Sequence, residues 1–210
     1  MEVADRRRDA ERTRADILAV ATEEYAQNGY SGARVDEIAA RTRTTKRMIY
    51  YYFGGKEQLY LAVLERAYAE IRAAEREVDV EHLDPVGAIR RIAEVTFDHH
   101  EAHPSFINLV GAENAQQGRH MTHVARLVDL NSSAVDVLRG VLARGHADGL
   151  FRDDVDALDV HMMISAFCFF RVANRHTFGA IFGRDLLDPA SREHYRTMVA
   201  DMVAGYLQKP

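Results

Sequence analysis

One segment most constrains the fold of this 210-residue chain: residues 35–60, which read VDEIAARTRTTKRMIYYYFGGKEQLY. Its apolar residues recur three or four positions apart, the spacing that puts side chains on one face of a helix. These residues are Val35, Ile38 and Ala39 in the first part and Ile49 and Phe53 in the second. The spacing predicts two short helices, 35–41 and 45–53, joined by a tight turn and followed by a third helix that opens at Lys56.

The remaining positions of the two short helices are basic and aromatic. No Asp or Glu lies between Arg41 and Phe53. The segment instead carries Arg41, Arg43, Lys46 and Arg47, followed by Tyr50, Tyr51 and Tyr52. An α-helix fits the major groove of duplex DNA, and Lys, Arg, Thr and Tyr side chains bond to phosphates. The segment therefore predicts a surface that binds double-stranded DNA.

An ordered set of short motifs surrounds this segment. The motifs are Gly29-Tyr30, Ile38-Ala39, Ile49-Tyr50-Tyr51-Tyr52-Phe53, Lys56-Glu57 and Leu59. At this spacing and near an N-terminus, they resemble the TetR-type transcriptional repressors over residues 12–64. The resemblance implies an all-α fold with two domains. Residues 1–55 would form a three-helix DNA-binding domain with a helix-turn-helix, and residues 56–210 a helical ligand-binding and dimerisation domain.

The recognition helix, residues 45–53, departs from the family pattern by being more basic. Many relatives carry Gly where this chain has Arg43 and Arg47. Relatives also place Ser or Thr as the cap of the first motif helix, where this chain has Arg34. Thr45 is predicted to cap the recognition helix, since Thr side chains accept bonds from the first free N–H groups of a helix. We interpret this helix as a more basic variant of the family's recognition helix.

The candidate DNA-binding residues follow from their positions. They are Arg34, Arg43, Thr45, Lys46, Arg47, Tyr50, Tyr51 and Lys56. The N-terminal end of a recognition helix points at base edges, which makes Arg47 the best candidate for a bidentate contact to guanine. Tyr50 and Tyr51 would bond to phosphate or stack on base or sugar; packing inside the small domain is the alternative, which we favour for Tyr52. The resemblance assigns Lys56 to a flanking phosphate.

The rest of the chain has helical periodicity, and no stretch alternates in the manner of a strand. Helices are predicted at 12–27, 57–78, 85–102, 105–115, 119–147, 154–175 and 189–207. Residues 1–10 are polar and are predicted to be disordered. Their basic run, Arg6 to Arg8, is either a solvated tail or an arm that reaches DNA.

The charge distribution favours DNA contact through one end only. The net charge is −5, whereas residues 1–53 hold ten Lys and Arg against nine Asp and Glu, so that the remainder carries −6. The single cysteine, Cys168, excludes an internal disulfide and fits a reducing compartment. No apolar run reaches the length of a membrane span, and the N-terminus lacks the apolar stretch of a signal peptide. We therefore predict a cytoplasmic protein without a membrane partner.

Two predicted helices near the C-terminus, 154–175 and 189–207, are too apolar to be hidden by one small domain. Residues 162–170 are apolar nearly all round, and a helix of this kind must be buried on every side. We predict a homodimer in which these two helices of each copy pair into a four-helix bundle. The resemblance implies the same arrangement.

A small-molecule effector is predicted to bind between helices of the C-terminal domain. The candidate lining residues are Phe97, His100, Phe106, Asn108, Asn114, His123, His161, Phe167, Phe170, Arg171 and Asn174. Arg171 and Asn174 interrupt an apolar helix and could hold a carboxylate; a salt bridge across the dimer is the alternative. His99 and His103 have the spacing of a metal-ligand pair, but we favour histidines that lie on the surface or line a pocket. No metal and no cofactor are expected.

The leading hypothesis is a homodimeric repressor that a small-molecule effector releases from a palindromic operator. The resemblance implies that the effector tilts the long helix after Lys56 and so changes the distance between two recognition helices. An enzyme is the second hypothesis, although the chain has no glycine-rich phosphate loop, no nucleophile elbow and no carboxylates at catalytic spacing, and no catalytic residue is expected. An architectural DNA-binding protein is the third, against which the negative net charge argues.

Overall fold

The computed structural model describes residues 2–124 and 126–209, and their side chains except at positions 2–7, 126–131, 133 and 134. The described residues are helical apart from turns, loops and one isolated antiparallel bridge between Phe151 and Gln208. The predicted all-α fold is therefore confirmed. The helices are α1 (Glu2–Gly32), α2 (Val35–Arg41), α3 (Lys46–Phe53), α4 (Lys56–Arg76), α5 (Pro85–Ala102), α6 (Pro104–Ala115), α7 (Arg126–Ala147), α8 (Ala157–Ala173), α9 (Arg175–Phe182) and α10 (Arg192–Leu207).

The first of two compact units comprises residues 1–67 and 108–125. Within it α1 packs against α2, and α2 packs against α3. Its core side chains are Ile17, Ala21 and Tyr25 of α1, Val35 and Ile38 of α2, Ile49 and Phe53 of α3, and Leu59, Tyr60, Val63 and Leu64 of α4. These are the apolar positions with helical spacing, so the burial of one side of α2 and α3 leaves their basic side in solvent.

The second unit comprises residues 68–107 and 126–210. Helix α5 packs against α7, α8 and α10, and α8 also packs against α7 and α10. Its core side chains include Ile89, Phe97, Leu142, Phe151, Ile164, Val199 and Val203. Asp84 caps α5 by accepting a bond from the Gly87 amide, and Pro85 occupies the first turn, where a missing N–H costs nothing.

The boundary of the compact units differs from the predicted domain ranges. Residues 56–67 of α4 and the separate segment 108–125 belong to the first unit. Since α4 contributes residues to both units, a cut at residue 55 does not coincide with the packing of the helices. As functional domains, 1–55 and 56–210 stay a prediction.

One predicted helix boundary near the N-terminus needs correction. Helix α1 begins at Glu2 rather than near Arg12, so residues 2–10 are helical and the prediction of a disordered tail is wrong for them. Met1 and the side chains of Arg6 and Arg7 lie outside the described residues, while Arg8 is exposed. Gly29 interrupts the helical geometry with a φ of 63°, at the position predicted to end the helix.

Two further corrections concern the second half of the chain. Helix α7 begins at Arg126 rather than near residue 119, because Gln117 and Gly118 take positive φ values and a 3-10 turn follows at Met121–His123. Helix α9 was not predicted as a separate helix. Asn174 leaves helical geometry, with a φ of −98° and a ψ of 6°, so the helix predicted at 154–175 ends at Ala173 and a separate helix follows it.

Candidate functional site

Helix α3 is held by its cap and by two buried side chains. Thr45 has extended backbone geometry, and its hydroxyl accepts a bond from the Met48 amide at 3.2 Å, which confirms the predicted cap. Ile49 is fully buried and Phe53 is buried one turn later. The helix is therefore fixed in rotation, and the side opposite Ile49 faces solvent.

The solvent side of α3 carries the predicted contact residues. Lys46 and Arg47 are exposed in its first turn, and Tyr51 is 78% exposed while Tyr50 is 39% exposed. Lys46 lies 3.3 Å from the carboxylate of Asp36, whereas no ion pair forms at Arg47 within the described part of the chain. An exposed pair of this kind contributes little to stability, so a phosphate can replace Asp36 as the partner of Lys46.

Tyr52 differs from its two neighbours. It is half-buried, and its ring meets the ring of Tyr51 edge-on at 5.5 Å. The structure therefore separates the triplet into two exposed rings and one that packs.

Arg43 occupies a strained position in the turn between α2 and α3. Its φ is +52°, in the left-handed region that Gly enters without a steric penalty and a residue with Cβ does not. This is one of the two positions at which the family resemblance led us to expect Gly. Arg43 thus places its exposed guanidinium beside α3 from a backbone conformation that Gly would adopt more readily.

The missing side-chain cap at Arg34 is confirmed, and its replacement is Glu24. Arg34 makes no side-chain cap bond, but its own amide donates to the Glu24 carboxylate at 3.1 Å. The same oxygen accepts from the Asn28 side chain at 3.0 Å, and Glu24 is buried. Glu24 could not be predicted from the sequence, because a bond between residues ten apart has no local signal.

Lys56 opens α4 as predicted and is positioned by aromatic contacts. The Tyr25 hydroxyl donates to the Lys56 carbonyl at 2.8 Å, which fixes the backbone at this point. The ammonium group lies 5.0 Å from the ring centre of Tyr30 and donates to the Ser31 carbonyl at 3.4 Å. Lys56 therefore has a defined position at the edge of the first unit, beside Tyr30, and both residues are half-exposed.

A buried polar network inside the first unit joins α4 to the segment after α6. One oxygen of Glu113 accepts from the Tyr60 hydroxyl at 2.8 Å and lies 2.9 Å from Nδ1 of His120, and the other accepts from the His120 amide at 3.0 Å. The His120 ring packs 4.4 Å from that of Tyr30. Burial and the bond to Glu113 raise the pKa of Tyr60, so the phenol stays protonated and donates. This network could not be predicted from the sequence, because Tyr60 and Glu113 are 53 positions apart.

The predicted effector-binding residues divide between the two units. Asn108, Asn114 and His123 are exposed residues of the first unit. The other eight belong to the second unit, where His100 and Phe106 are buried with their rings 5.5 Å apart and His161 is half-buried. Phe167 is half-buried and Phe170 is 49% exposed. The structure therefore gathers three of the eleven residues, His100, Phe106 and His161, in one neighbourhood.

Arg171 is paired within its own chain, and its two predicted roles stay predictions. Its guanidinium pairs with Glu101 of the same chain, donates to the Leu186 carbonyl at 2.8 Å and stacks 4.0 Å from the centre of the Phe97 ring. These contacts explain why a cation at 3% exposure is tolerated in an apolar helix. Asn174 forms the junction of α8 and α9, where its carbonyl accepts from the Phe178 amide.

His99 and His103, the pair with metal-ligand spacing, are not arranged to bind one metal ion together. The rings of His99 and His103 stack with centres 4.2 Å apart and planes 23° apart. Across the described residues, no three His, Cys, Asp or Glu side chains are grouped so that they could hold a metal ion. None of the described helices combines the length and the hydrophobicity that crossing a membrane requires.

Two family descriptions match the chain. Residues 17–63 match bacterial regulatory proteins of the tetR family, and residues 85–203 match the Tetracyclin repressor-like C-terminal domain. The first range contains α2 and α3, and the second contains α5 to α9.

Individual proteins of known class are similar over most of their length. The HTH-type transcriptional repressor NicS of Pseudomonas putida is 35% identical over 97% of this chain and 96% of its own. The HTH-type transcriptional repressor SCO4008 of Streptomyces coelicolor is 32% identical over 76% of this chain and 78% of its own. The crystal structure of SCO4942 from Streptomyces coelicolor has a TM-score of 0.71 at 28% identity, covering 94% of this chain and 99% of that one.

Proposed function

The chain belongs to the TetR family of bacterial regulatory proteins, and on that premise we propose that it is a homodimeric repressor that a small molecule releases from a palindromic operator. Membership makes it a DNA-binding transcriptional regulator. Repression is the function of NicS and SCO4008, the two similar proteins named above. We extend it to this chain because NicS is similar along nearly the whole length.

The observation that carries the DNA-binding proposal is the exposed side of α3. Arg47 and Lys46 lie at the N-terminal end of that helix, the end that enters the major groove in helix-turn-helix proteins. In our proposal Arg47 reads guanine, and Thr45 and Lys46 contact base edges or phosphates beside it. Tyr50 and Tyr51 contact the sugar-phosphate backbone.

Three further cations complete the proposed interface. Arg34 and Arg43 border α2 and α3 on the exposed side, and Lys56 opens α4. We assign all three to phosphates, because their positions lie outside the first turn of the recognition helix. Such contacts orient the protein on the duplex and make its affinity depend on salt.

A stripe of exposed apolar side chains supports the homodimer. It consists of Leu158, Met162, Ala166 and Phe170 on α8 and Met198, Met202 and Tyr206 on α10. Each row repeats every four residues, so each occupies one helix face, and α8 packs against α10. A contiguous apolar face of this kind marks an interaction site on a soluble regulator. We propose that the same face of a second copy covers it, which gives a two-fold dimer matched to a palindrome.

The effector would act by shifting the population of two dimer states. A small molecule that prefers the state with wrongly spaced recognition helices weakens operator binding by its differential affinity. Helix α4 is the proposed carrier of the change, because its residues contribute to both compact units. Operator DNA lies in the bacterial cytoplasm, and we propose the same location for this protein, with no catalytic activity of its own.

Selection of binding sites from random duplex DNA tests the proposed function. The full chain should enrich a two-fold symmetric sequence and prefer it over bulk DNA by about 10³-fold or more. Equal affinity for all duplexes would point to an architectural protein instead. The enriched sequence then serves in all experiments below that need an operator.

A further inference from the structure

The second unit contains a buried polar cluster with no structural explanation. It consists of Arg72 and Glu75 of α4, Thr96, His99 and His100 of α5, and His161 of α8. Arg72, Glu75, Thr96, His99 and His100 are each at most 7% exposed. Arg72 pairs with Glu75, whose carboxylate also bonds to Thr96. A charged pair beside three imidazoles is an unusual composition for the interior of a helical domain.

Several polar atoms of the cluster are left without a partner. Within the described residues, no hydrogen bond reaches Nε of Arg72, either ring nitrogen of His99 or Nδ1 of His100. Each buried donor or acceptor without a partner destabilises a fold, and native interiors contain few of them. Four such atoms on three neighbouring residues indicate groups that a ligand satisfies.

The cluster lies beside a small cavity with polar and apolar walls. The polar wall consists of Glu75, Arg76, Thr96 and His161, of which Arg76 is exposed. The apolar wall consists of Ile92, Val137, Leu138 and Ile164. The cavity volume is about 10 Å³, which is room for about one water molecule. A larger occupant therefore needs these helices to move apart, as an effector that shifts a two-state equilibrium must.

From these groups we infer that the buried polar cluster binds the carboxylate of a small organic acid, and that this acid is the effector. The inference rests on the proposed function. The free N–H of Arg72 and an imidazole N–H both require an acceptor, which a carboxylate oxygen provides. The apolar wall fits a hydrocarbon or aromatic remainder of the acid.

Other ligand charges fit less well. A cation would be repelled by the guanidinium of Arg72. A phosphate group carries about two charges, whereas Arg72 is shared with Glu75 and the other cation beside the cavity, Arg76, is exposed. A neutral amide offers an oxygen acceptor without charge, and it is the alternative that the experiment must separate.

Thermal unfolding of the full chain with matched acid and amide probes tests the inference. The acids are benzoate and hexanoate, and the neutral controls are benzamide and hexanamide, at equal ionic strength. At about ten times its Kd, at least one acid should raise Tm by about 3–6 °C, with a smaller or no shift from its amide. The same acid should release the selected operator from the wild-type protein.

Two variants locate the site. Replacing both members of the ion pair, Arg72→Met with Glu75→Gln, avoids leaving one buried charge alone and should abolish the shift by the acid. His100→Leu should also weaken the shift, and it should raise Tm without any probe, because it removes an unpartnered nitrogen. A structural role of His100 would instead lower Tm.

Three outcomes would overturn the inference: equal shifts by acid and amide, no shift by either acid, or a full shift in the Arg72 and Glu75 double variant. None of these outcomes depends on operator binding by the wild-type protein in the absence of a probe. That measurement belongs to the proposed function, so failure of the inference and failure of the function are told apart.

Discussion

At the residue scale, Arg43 combines a charged side chain proposed to contact DNA with a left-handed backbone that destabilises the folded state. A residue with Cβ at φ +52° is destabilised by about 1–2 kcal/mol relative to Gly. We expect Arg43→Gly to be more stable than Arg43→Ala by about 1 kcal/mol in urea unfolding, although both lose the charge. Both should bind the operator more weakly than the wild-type protein. Equal stability of the two variants would show that the turn relaxes and stores no strain.

Two buried histidines should make stability depend on pH. Burial lowers the pKa of His99 to about 3 and that of His100 to about 4, with further lowering by Arg72 of α4. The other titratable groups that face them are His103, Glu75 of α4 and His161 of α8, whose own pKa burial lowers.

As the pH falls, these histidines take up protons in the unfolded chain before they do so in the folded chain. Their contribution to the stability of the fold is therefore complete above about pH 6.5 and is lost as the pH falls towards 4. We expect the urea midpoint to fall between pH 7.5 and 5.0, and His100→Leu to reduce that fall. His82→Gln is the control, since His82 is exposed and its pKa is raised by Asp79. An unchanged pH dependence in His100→Leu would contradict the assignment.

At the element scale, one close contact fixes the end of α7. A Cβ built on Gly145 would lie 2.0 Å from the ring of Phe151, which is fully buried. We expect Gly145→Ala to destabilise the protein by about 1–3 kcal/mol, since overpacking forces the ring from its site. Gly140→Ala in the same helix has no atom within 4 Å and should be stabilising by about 0.5–1 kcal/mol. Thermal unfolding of both variants measures the difference, and equal Tm values would refute the contact.

The elements that could be predicted from the sequence are those with local signals. Helices α2 and α3 follow from apolar spacing, and the cap at Thr45 follows from residue type. Helix α9 escaped prediction because it opens with the polar residues Arg175, His176 and Thr177, and only the backbone geometry at Asn174 shows that one helix ends and another begins there.

The contacts that could not be predicted join residues far apart in the chain. Tyr60 and Glu113 are 53 positions apart, and Arg171 and Glu101 are 70 apart. A sequence pattern identifies Arg171 as a cation in an apolar helix that needs a partner, but it does not identify the partner. For the same reason the buried polar cluster was predicted only through His100 and His161, without Arg72 and Glu75.

At the scale of the whole molecule, the apolar stripe on α8 and α10 should hold the dimer together. Met162 is 62% exposed and Met202 is 41% exposed. We expect Met162→Glu with Met202→Glu to give monomers in sedimentation analysis and to lose operator binding, because two half-sites are no longer bound by one particle. Met48→Glu, at a Met on α3 that is 37% exposed, should leave the dimer intact. A double variant that stays dimeric would show that another surface forms the interface.

The most direct measurement compares Arg47→Ala and Lys56→Ala on the selected operator and on single-base variants of it. We expect Arg47→Ala to lose about 1–3 kcal/mol of binding and its preference at one guanine in each half-site. Lys56→Ala should weaken all sequences alike and reduce the salt slope by about 1. Wild-type affinity and base preference in both variants would contradict DNA recognition through the exposed side of α3.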